Sequence, residues 1–255
     1  MIVLLTDFGQ SEYVGVMKGV IYSIDGDAKI VDLCHDIQPQ NIIEASWILK
    51  NNYKYFPKGA VFCCVIDPCV GTERKALAVK TDNYFFVAPD NGLLWETLRQ
   101  QKIVDIRQIP IPESASCTFH GRDVFAKAAA NINKGNFDDL GGKVEKIEKL
   151  ELYRNEGEGI VVRIDRFGNV ITNLPASASL DASRGSRPKQ EDKDKYSVRI
   201  NDRKYSLKFY PTYSAAKEDE LFLIEGSNNT LEISLKNGNA NDKLRAKPGD
   251  KIKIS

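Results

Sequence analysis

Asp67, with Arg74 a short way beyond it, and His120 carry side chains able to hold a water or a small anion. Asp67 closes the apolar run 61–66 in the stretch VFCCVIDPCVGTER, and Pro68 and Gly71-Thr72 follow it. A strand that stops at an acidic residue and turns through Pro and Gly leaves the carboxylate at its C-terminal edge. Open α/β sheets bind ligands at that edge. Arg74 lies beyond the turn, within reach of folding back toward Asp67. Asp7, in TDFG, and Asp36, in CHD, end two further apolar runs, and His120-Gly121-Arg122-Asp123 precedes an apolar-periodic segment. An acid, an imidazole and a guanidinium converging on one edge could orient and polarise a water or a small anion. A plainer reading stays open: an Asp that caps its own turn and pairs with a nearby Arg, and a His that caps a helix.

These residues reach one edge only if the elements before them are strands of a common sheet. Residues 2–5, 30–33 and 61–66 read as short buried strands. Residues 13–24 (YVGVMKGVIYSI) carry apolar positions at helical spacing, with Ser11 as N-cap. Residues 41–55 read as a second helix, ended by Phe56-Pro57-Lys58-Gly59. Residues 76–80 and 84–88 look like a strand pair around Thr81-Asp82-Asn83. Pro89-Asp90-Asn91-Gly92 is a turn, residues 93–98 open a helix, and residues 124–133 form another that ends near Gly135. Strands alternating with helical patterns predict an α/β domain over 1–145, with a mostly parallel sheet and flanking helices.

The pattern changes beyond Gly141. Short β-like runs at 160–164, 170–172, 197–200, 206–209, 221–225, 231–235 and 251–254 follow one another with no long helix between them. They predict an all-β domain over 155–255, a small barrel. Residues 176–195 are polar and read as an exposed, mobile loop.

Composition narrows the class. A chain of 255 residues that is 42% hydrophobic and 28% charged fits one large globular domain or two ordinary ones. A net charge of +1 makes no case for a nucleic-acid partner. No apolar run reaches membrane-spanning length, so no membrane association is expected. MIVLLTDFG has no basic leader and reads as a first strand rather than a signal peptide. Five cysteines, without a pair at metal-site spacing, fit reduced thiols in a cytoplasmic protein. Two histidines are too few for a His-rich metal site.

Five motifs, LTDFG…YVGVMKGVI, VIDPCVGTER, APDNGLL, TFHGRD and IDRFGNVITNL, together resemble the S-adenosylmethionine hydroxide adenosyltransferases, also called S-adenosylmethionine hydrolases. That family is related to the fluorinase and chlorinase. The resemblance runs from residue 2 to about residue 254, in the family's order. It implies hydrolysis of S-adenosylmethionine to adenosine and methionine, with no cofactor. It also implies an α/β domain followed by a β-barrel, and a homotrimer with active sites at subunit interfaces.

By the same resemblance Asp67, Arg74 and His120 would hold the attacking water. Asp7 would accept both ribose hydroxyls. Asp165 and Asn169 would hold the methionine ammonium and the adenine edge, and Phe167 would line the purine. Ser227 would meet the methionine carboxylate, and backbone groups near Leu235 and Asn237 the adenine. The chain departs from the pattern at Cys69, where DPGVG is usual, and at Glu12, where an Asp is common. If that glycine position needs a positive φ, Cys69 is strained. Two other functions are weighed against hydrolysis. One is a non-catalytic nucleoside or S-adenosylmethionine sensor. The other is a halogenase, which a carboxylate at Asp67 disfavours by repelling halide.

Overall fold

The structure is a computed structural model that describes residues 1–152, 158–176 and 195–254. It divides into two compact units, residues 1–151 and residues 152–255.

The first unit is a six-stranded sheet with helices on its faces. The strands are β1 (Ile2–Thr6), β2 (Ile30–Cys34), β3 (Val61–Val65), β4 (Ala76–Thr81), β5 (Phe85–Pro89) and β6 (Ile103–Gln108), in the order β2-β1-β3-β5-β4-β6. β2, β1, β3 and β5 are parallel, and β4 runs antiparallel to both neighbours. The helices are α1 (Glu12–Ile24), α2 (Ile42–Asn52), α3 (Trp95–Leu98) and α4 (Ala126–Asn133).

β1 and β3 are buried along their whole length, which is why IVLLT and VFCCV carry almost no polar residue. On one face Ile2, Leu4, Cys63 and Val65 pack with Val14, Met17 and Ile21 of α1 and Ala129 of α4. On the other, Phe62 stacks on Phe86, with Tyr53, Phe56 and Tyr84 meeting them edge-on. Because β1 and β3 are parallel and in register, Thr6 opposite Val65, the segments holding Asp7 and Asp67 leave the same edge side by side.

Several local expectations need correction. Ser11 precedes α1 but makes no side-chain cap; its hydroxyl donates to the Phe8 carbonyl instead. The helix expected over 41–55 is regular only to Asn52, then tightens into a 3-10 turn at Tyr53–Tyr55. Phe56 is extended because Pro57 bars it from the helical region. Asn41 caps α2, its Oδ1 accepting from Glu44 N at 3.2 Å. Strand β6 leaves no alternating mark in the sequence. It is an edge strand whose exposed Ile103 and Val104 break the alternation that marks a half-buried strand.

The second unit is a closed barrel. Its strands are β7 (Glu158–Ile164), β8 (Val170–Pro175), β9 (Tyr196–Ile200), β10 (Arg203–Phe209), β11 (Leu221–Glu225), β12 (Thr230–Leu235) and β13 (Lys251–Ile254). They close in the order β10-β11-β12-β8-β7-β13-β9. Val161, Val170, Leu174, Val198, Leu207, Leu223, Leu231 and Ile233 belong to its core. Alternate residues pointing inward explain why these apolar positions recur every second residue. A short helix, α5 (Ala240–Leu244), follows β12, too brief to leave a periodic signature. The polar loop expected over 176–195 falls on residues 177–194, outside the described residues. Among the described residues no helix is long and apolar enough to cross a membrane, and no group of His, Cys, Asp and Glu is placed to hold a metal.

Candidate active site

Asp67, Arg74 and His120 form one connected group. Arg74 Nε donates to both Asp67 oxygens at 3.0 Å, and Nη2 donates to Oδ2 as well. Nη2 also donates to His120 Nδ1 at 2.8 Å. The Asp67 and Arg74 side chains are only 6% and 7% exposed, so this ion pair is sheltered from water and salt. The guanidinium lies 5.2 Å from the Phe125 ring centroid, a cation–π contact that fixes its plane. Arg74 Nη1 is buried and has no hydrogen-bond partner among the described residues, so it keeps donors for a small polar guest.

This geometry sets the histidine's proton. Guanidinium can only donate, so Nδ1 is the acceptor, and neutral His120 carries its hydrogen on Nε2. Burial first, and then the Arg74 charge, hold the His120 pKa below the ordinary imidazole value, against the opposing pull of Asp67 and Asp123. His120 is therefore a neutral donor at Nε2 near pH 7.

Each member is placed by local structure. Asp67 sits just past β3, where Asn91 Nδ2 donates to the Ile66 carbonyl at 2.9 Å. The turn after it takes its positive φ at Gly71, +78°, where an added Cβ would collide with the Cys117 backbone. Cys69 has no positive φ, so the replacement of the usual glycine carries no backbone strain. His120 heads a π-helical turn, Gly121–Phe125, that runs into α4. Such turns recur at functional sites because they offset side chains from the regular helix.

Asp7 follows β1, and its Oδ2 accepts from Gln40 N at 2.7 Å. Burial raises the Asp7 pKa, the Gln40 N–H opposes this, and the Asp67 charge adds to it, which marks the two carboxylates as neighbours. Gln40 itself holds a positive φ of 66°, with Asn41 N donating to the Gln38 carbonyl at 3.0 Å. That is a Pro39-Gln40 turn of the kind that prefers glycine. Thr6 Oγ1 bonds His35 Nδ1 at 2.8 Å, and Gly9 N donates to the His35 carbonyl at 2.8 Å, bracing the same segment from β2. Asp36, by contrast, is exposed. Phe8, Tyr13 and Phe119 form an edge-to-face trio with centroids 5.0–6.0 Å apart, linking the residues beside Asp7 and His120. Neither Gln40 nor this trio was visible in the sequence reading, since a backbone N–H and a ring contact across elements leave no motif.

In the second unit Asp165, Phe167 and Asn169 share the turn between β7 and β8. Asp165 Oδ1 accepts from Phe167 N and Asn169 N, and Oδ2 from Asn169 Nδ2, all at 2.9 Å. Asn169 is buried and fixed in orientation, while Phe167 is 76% exposed, a large apolar ring open to a ligand. Gly168, with φ +81°, lies so close to Asn239 that any Cβ there would overlap it. Ser227 is exposed in the turn after β11. Leu235 ends β12, and its carbonyl accepts from Gly238 N at 3.3 Å. Asn237 Nδ2 donates to the Glu218 carboxylate at 3.1 and 3.2 Å. Glu232 and Tyr213 lie near Asp165 as well; the sequence signals them only by an acid inside the apolar strand LEISL.

Comparison with known proteins gives a consistent result. Residues 2–141 match the SAM hydroxide adenosyltransferase N-terminal domain, and residues 159–253 match the corresponding C-terminal domain. The chain is 34% identical to the (R)-S-adenosyl-L-methionine hydrolase of Thermus thermophilus, over 98% of this chain and 97% of that protein. It is 43% identical to the enzyme of that name from Methanocaldococcus jannaschii, over 68% of this chain and 66% of that protein. A fluorinase from Nocardia brasiliensis is 26% identical over 68% of this chain and 71% of that protein. Among solved structures, an uncharacterized conserved protein from Thermotoga maritima superposes with a TM-score of 0.89 at 35% identity, covering both chains fully. The chain belongs to the SAM hydroxide adenosyltransferase family.

Proposed function

We propose that the protein hydrolyses S-adenosyl-L-methionine to adenosine and L-methionine, by attack of a positioned water on the ribose 5′-carbon. The observation that carries this reading is the buried Asp67–Arg74–His120 group, with Arg74 Nη1 and His120 Nε2 left as donors. The sulfonium is already a good leaving group, so the reading calls for no cofactor and no general acid. What the protein supplies is position, which can contribute roughly 7–11 kcal/mol toward the barrier. Arg74 and His120 donate to the water oxygen, and Asp67 takes its proton. His120 cannot take it at Nε2, which already bears hydrogen, whereas Asp67 Oδ1, which accepts only from Arg74 Nε, retains a lone pair. A buried carboxylate beside the nucleophile also repels halide, which separates this reading from halogenation.

In this reading Asp7 accepts the ribose hydroxyls, Phe167 stacks on the purine and Asn169 meets its edge. Backbone groups near Leu235 and Asn237 complete the adenine contacts. Asp165 receives the methionine ammonium and Ser227 its carboxylate. The test is reaction in oxygen-18 water, followed by mass spectrometry of the products. The label is expected in the adenosine 5′-hydroxyl. Label in methionine alone, or no adenosine at all, refutes the proposal.

Assembly is part of the same proposal. The water-holding residues lie in residues 1–151 and the adenine and methionine contacts in residues 152–255. We infer a homotrimer in which the first unit of one subunit meets the second unit of its neighbour. Asp67→Ala and Asn169→Ala subunits, each inactive alone, are then expected to regain part of the activity when mixed under conditions of exchange. Exchange without recovery, or an active monomer by light scattering, rules this out. A cytoplasmic location completes the reading, in keeping with five cysteines that all stand free.

A further inference from the structure

Glu232 is a charged residue in a place that needs a reason. It lies in mid-β12, opposite Ile224 of β11 and Ile171 of β8, and is only 7% exposed. Its neighbours Leu231 and Ile233 point into the barrel core, so Thr230, Glu232 and Ser234 share the outer side, where all three are nonetheless buried. Among the described residues the one hydrogen bond to its carboxyl group is long, from the Tyr213 hydroxyl at 3.4 Å. Ser234 Oγ is fully buried and has no partner of good geometry among the described residues, although it lies near enough to the Tyr213 phenol to favour its ionised form. The Glu232 carboxyl group presses on Gly226 so closely that a Cβ there would overlap it, which puts it against the turn bearing Ser227.

A second acid is close. Burial raises the Glu232 pKa, and the Asp165 charge raises it further, with Tyr213 the one group that opposes them. Two carboxylates, a long hydrogen bond and a poorly partnered buried hydroxyl make an arrangement that is unfavourable by itself. An ammonium group reverses this. It brings three N–H donors and a positive charge to the Glu232 carboxyl group and the Ser234 hydroxyl, with the Asp165 charge nearby.

We propose that Glu232 is a second carboxylate, beside Asp165, for the α-ammonium group of the substrate's amino-acid tail, and that it sets the requirement for that group. The proposal rests on the reading of the substrate as S-adenosyl-L-methionine. It adds a recognition residue to the site, one whose removal acts on binding rather than on the reacting bond.

The test measures binding of S-adenosyl-L-methionine and of its des-amino analogue, in which hydrogen replaces the amino group, to the wild-type protein and to Glu232→Gln. The wild-type protein is expected to bind the analogue roughly ten- to a hundredfold more weakly. Glu232→Gln is expected to lose part of that factor for S-adenosyl-L-methionine, Asp165 being still present, and little for the analogue. If Glu232→Gln does not fold, Glu232→Asp, which withdraws the carboxylate by one methylene, must show the same selective loss. Equal binding of the two probes by the wild-type protein overturns the proposal. So does equal weakening of both probes by the variant, the signature of a merely structural acid. Adenosine formation is followed alongside: its absence refutes the hydrolase reading, while selective binding of the amine still reports on Glu232.

Discussion

Replacing Asp67 with Asn is expected to lower kcat for S-adenosyl-L-methionine hydrolysis by roughly a hundred- to ten-thousandfold, the range that a positioned general base supplies. The expectation follows from the histidine's tautomer. Arg74 Nη2 occupies His120 Nδ1, so the imidazole meets a water as a donor and leaves Asp67 as the proton acceptor. Asn is nearly isosteric with Asp and still accepts one hydrogen bond from Arg74, so the turn after β3 should hold. KM should change far less than kcat, because the proton transfer develops only as the water attacks. Steady-state kinetics on a variant shown to fold by circular dichroism provide the check. A Asp67→Asn enzyme that keeps kcat within about tenfold of wild type would remove Asp67 from that role, since a base worth so little falls below the range.

What the sequence revealed follows a physical pattern. Asp7 and Asp67 could be placed because each ends an apolar run abruptly, and parallel strands deliver such ends to one edge. Arg74 could be tied to Asp67 because only a short turn separates them, and the barrel could be read from β12 and its neighbours because LEISL and LFLIE mark short buried strands. The remainder depends on contacts between distant segments or on backbone atoms. The proton position on His120 depends on a guanidinium 46 residues away in the chain. The Gln40 N–H that holds Asp7 belongs to a turn whose residue type does not announce a positive φ. β6 escaped because an edge strand need not alternate, and the π-helical turn after His120 because its residues also suit a regular helix.

Deleting the Arg74 guanidinium should cost the fold several kcal/mol. Arg74→Met keeps much of the side-chain volume but leaves the Asp67 carboxylate, 6% exposed, without its cation. Removing one partner of a buried ion pair costs roughly 3–5 kcal/mol, chiefly the penalty of the stranded charge. For a domain of this size that is a fall of roughly 10 °C in melting temperature. The cation–π contact with Phe125 is lost as well. The double variant Asp67→Asn/Arg74→Met should recover much of the loss, because no buried charge is then unpaired. The His120 titration gives an independent reading. Burial is the larger cause of its lowered pKa and persists in the variant, but the Arg74 charge, the second cause, is gone. The imidazole pKa should therefore rise part of the way to its ordinary value, as followed by NMR. In the wild-type protein a lowered folded-state pKa means that the unfolded chain binds the proton more readily. His120 thus draws stability away as pH falls below the ordinary imidazole value, and Arg74→Met should soften that acid slope even while lowering stability at neutral pH. A variant that melts within about 2 °C of wild type, a shift that corresponds to under roughly 1 kcal/mol, would show that the Asp67 charge does not depend on Arg74 for its place in the fold.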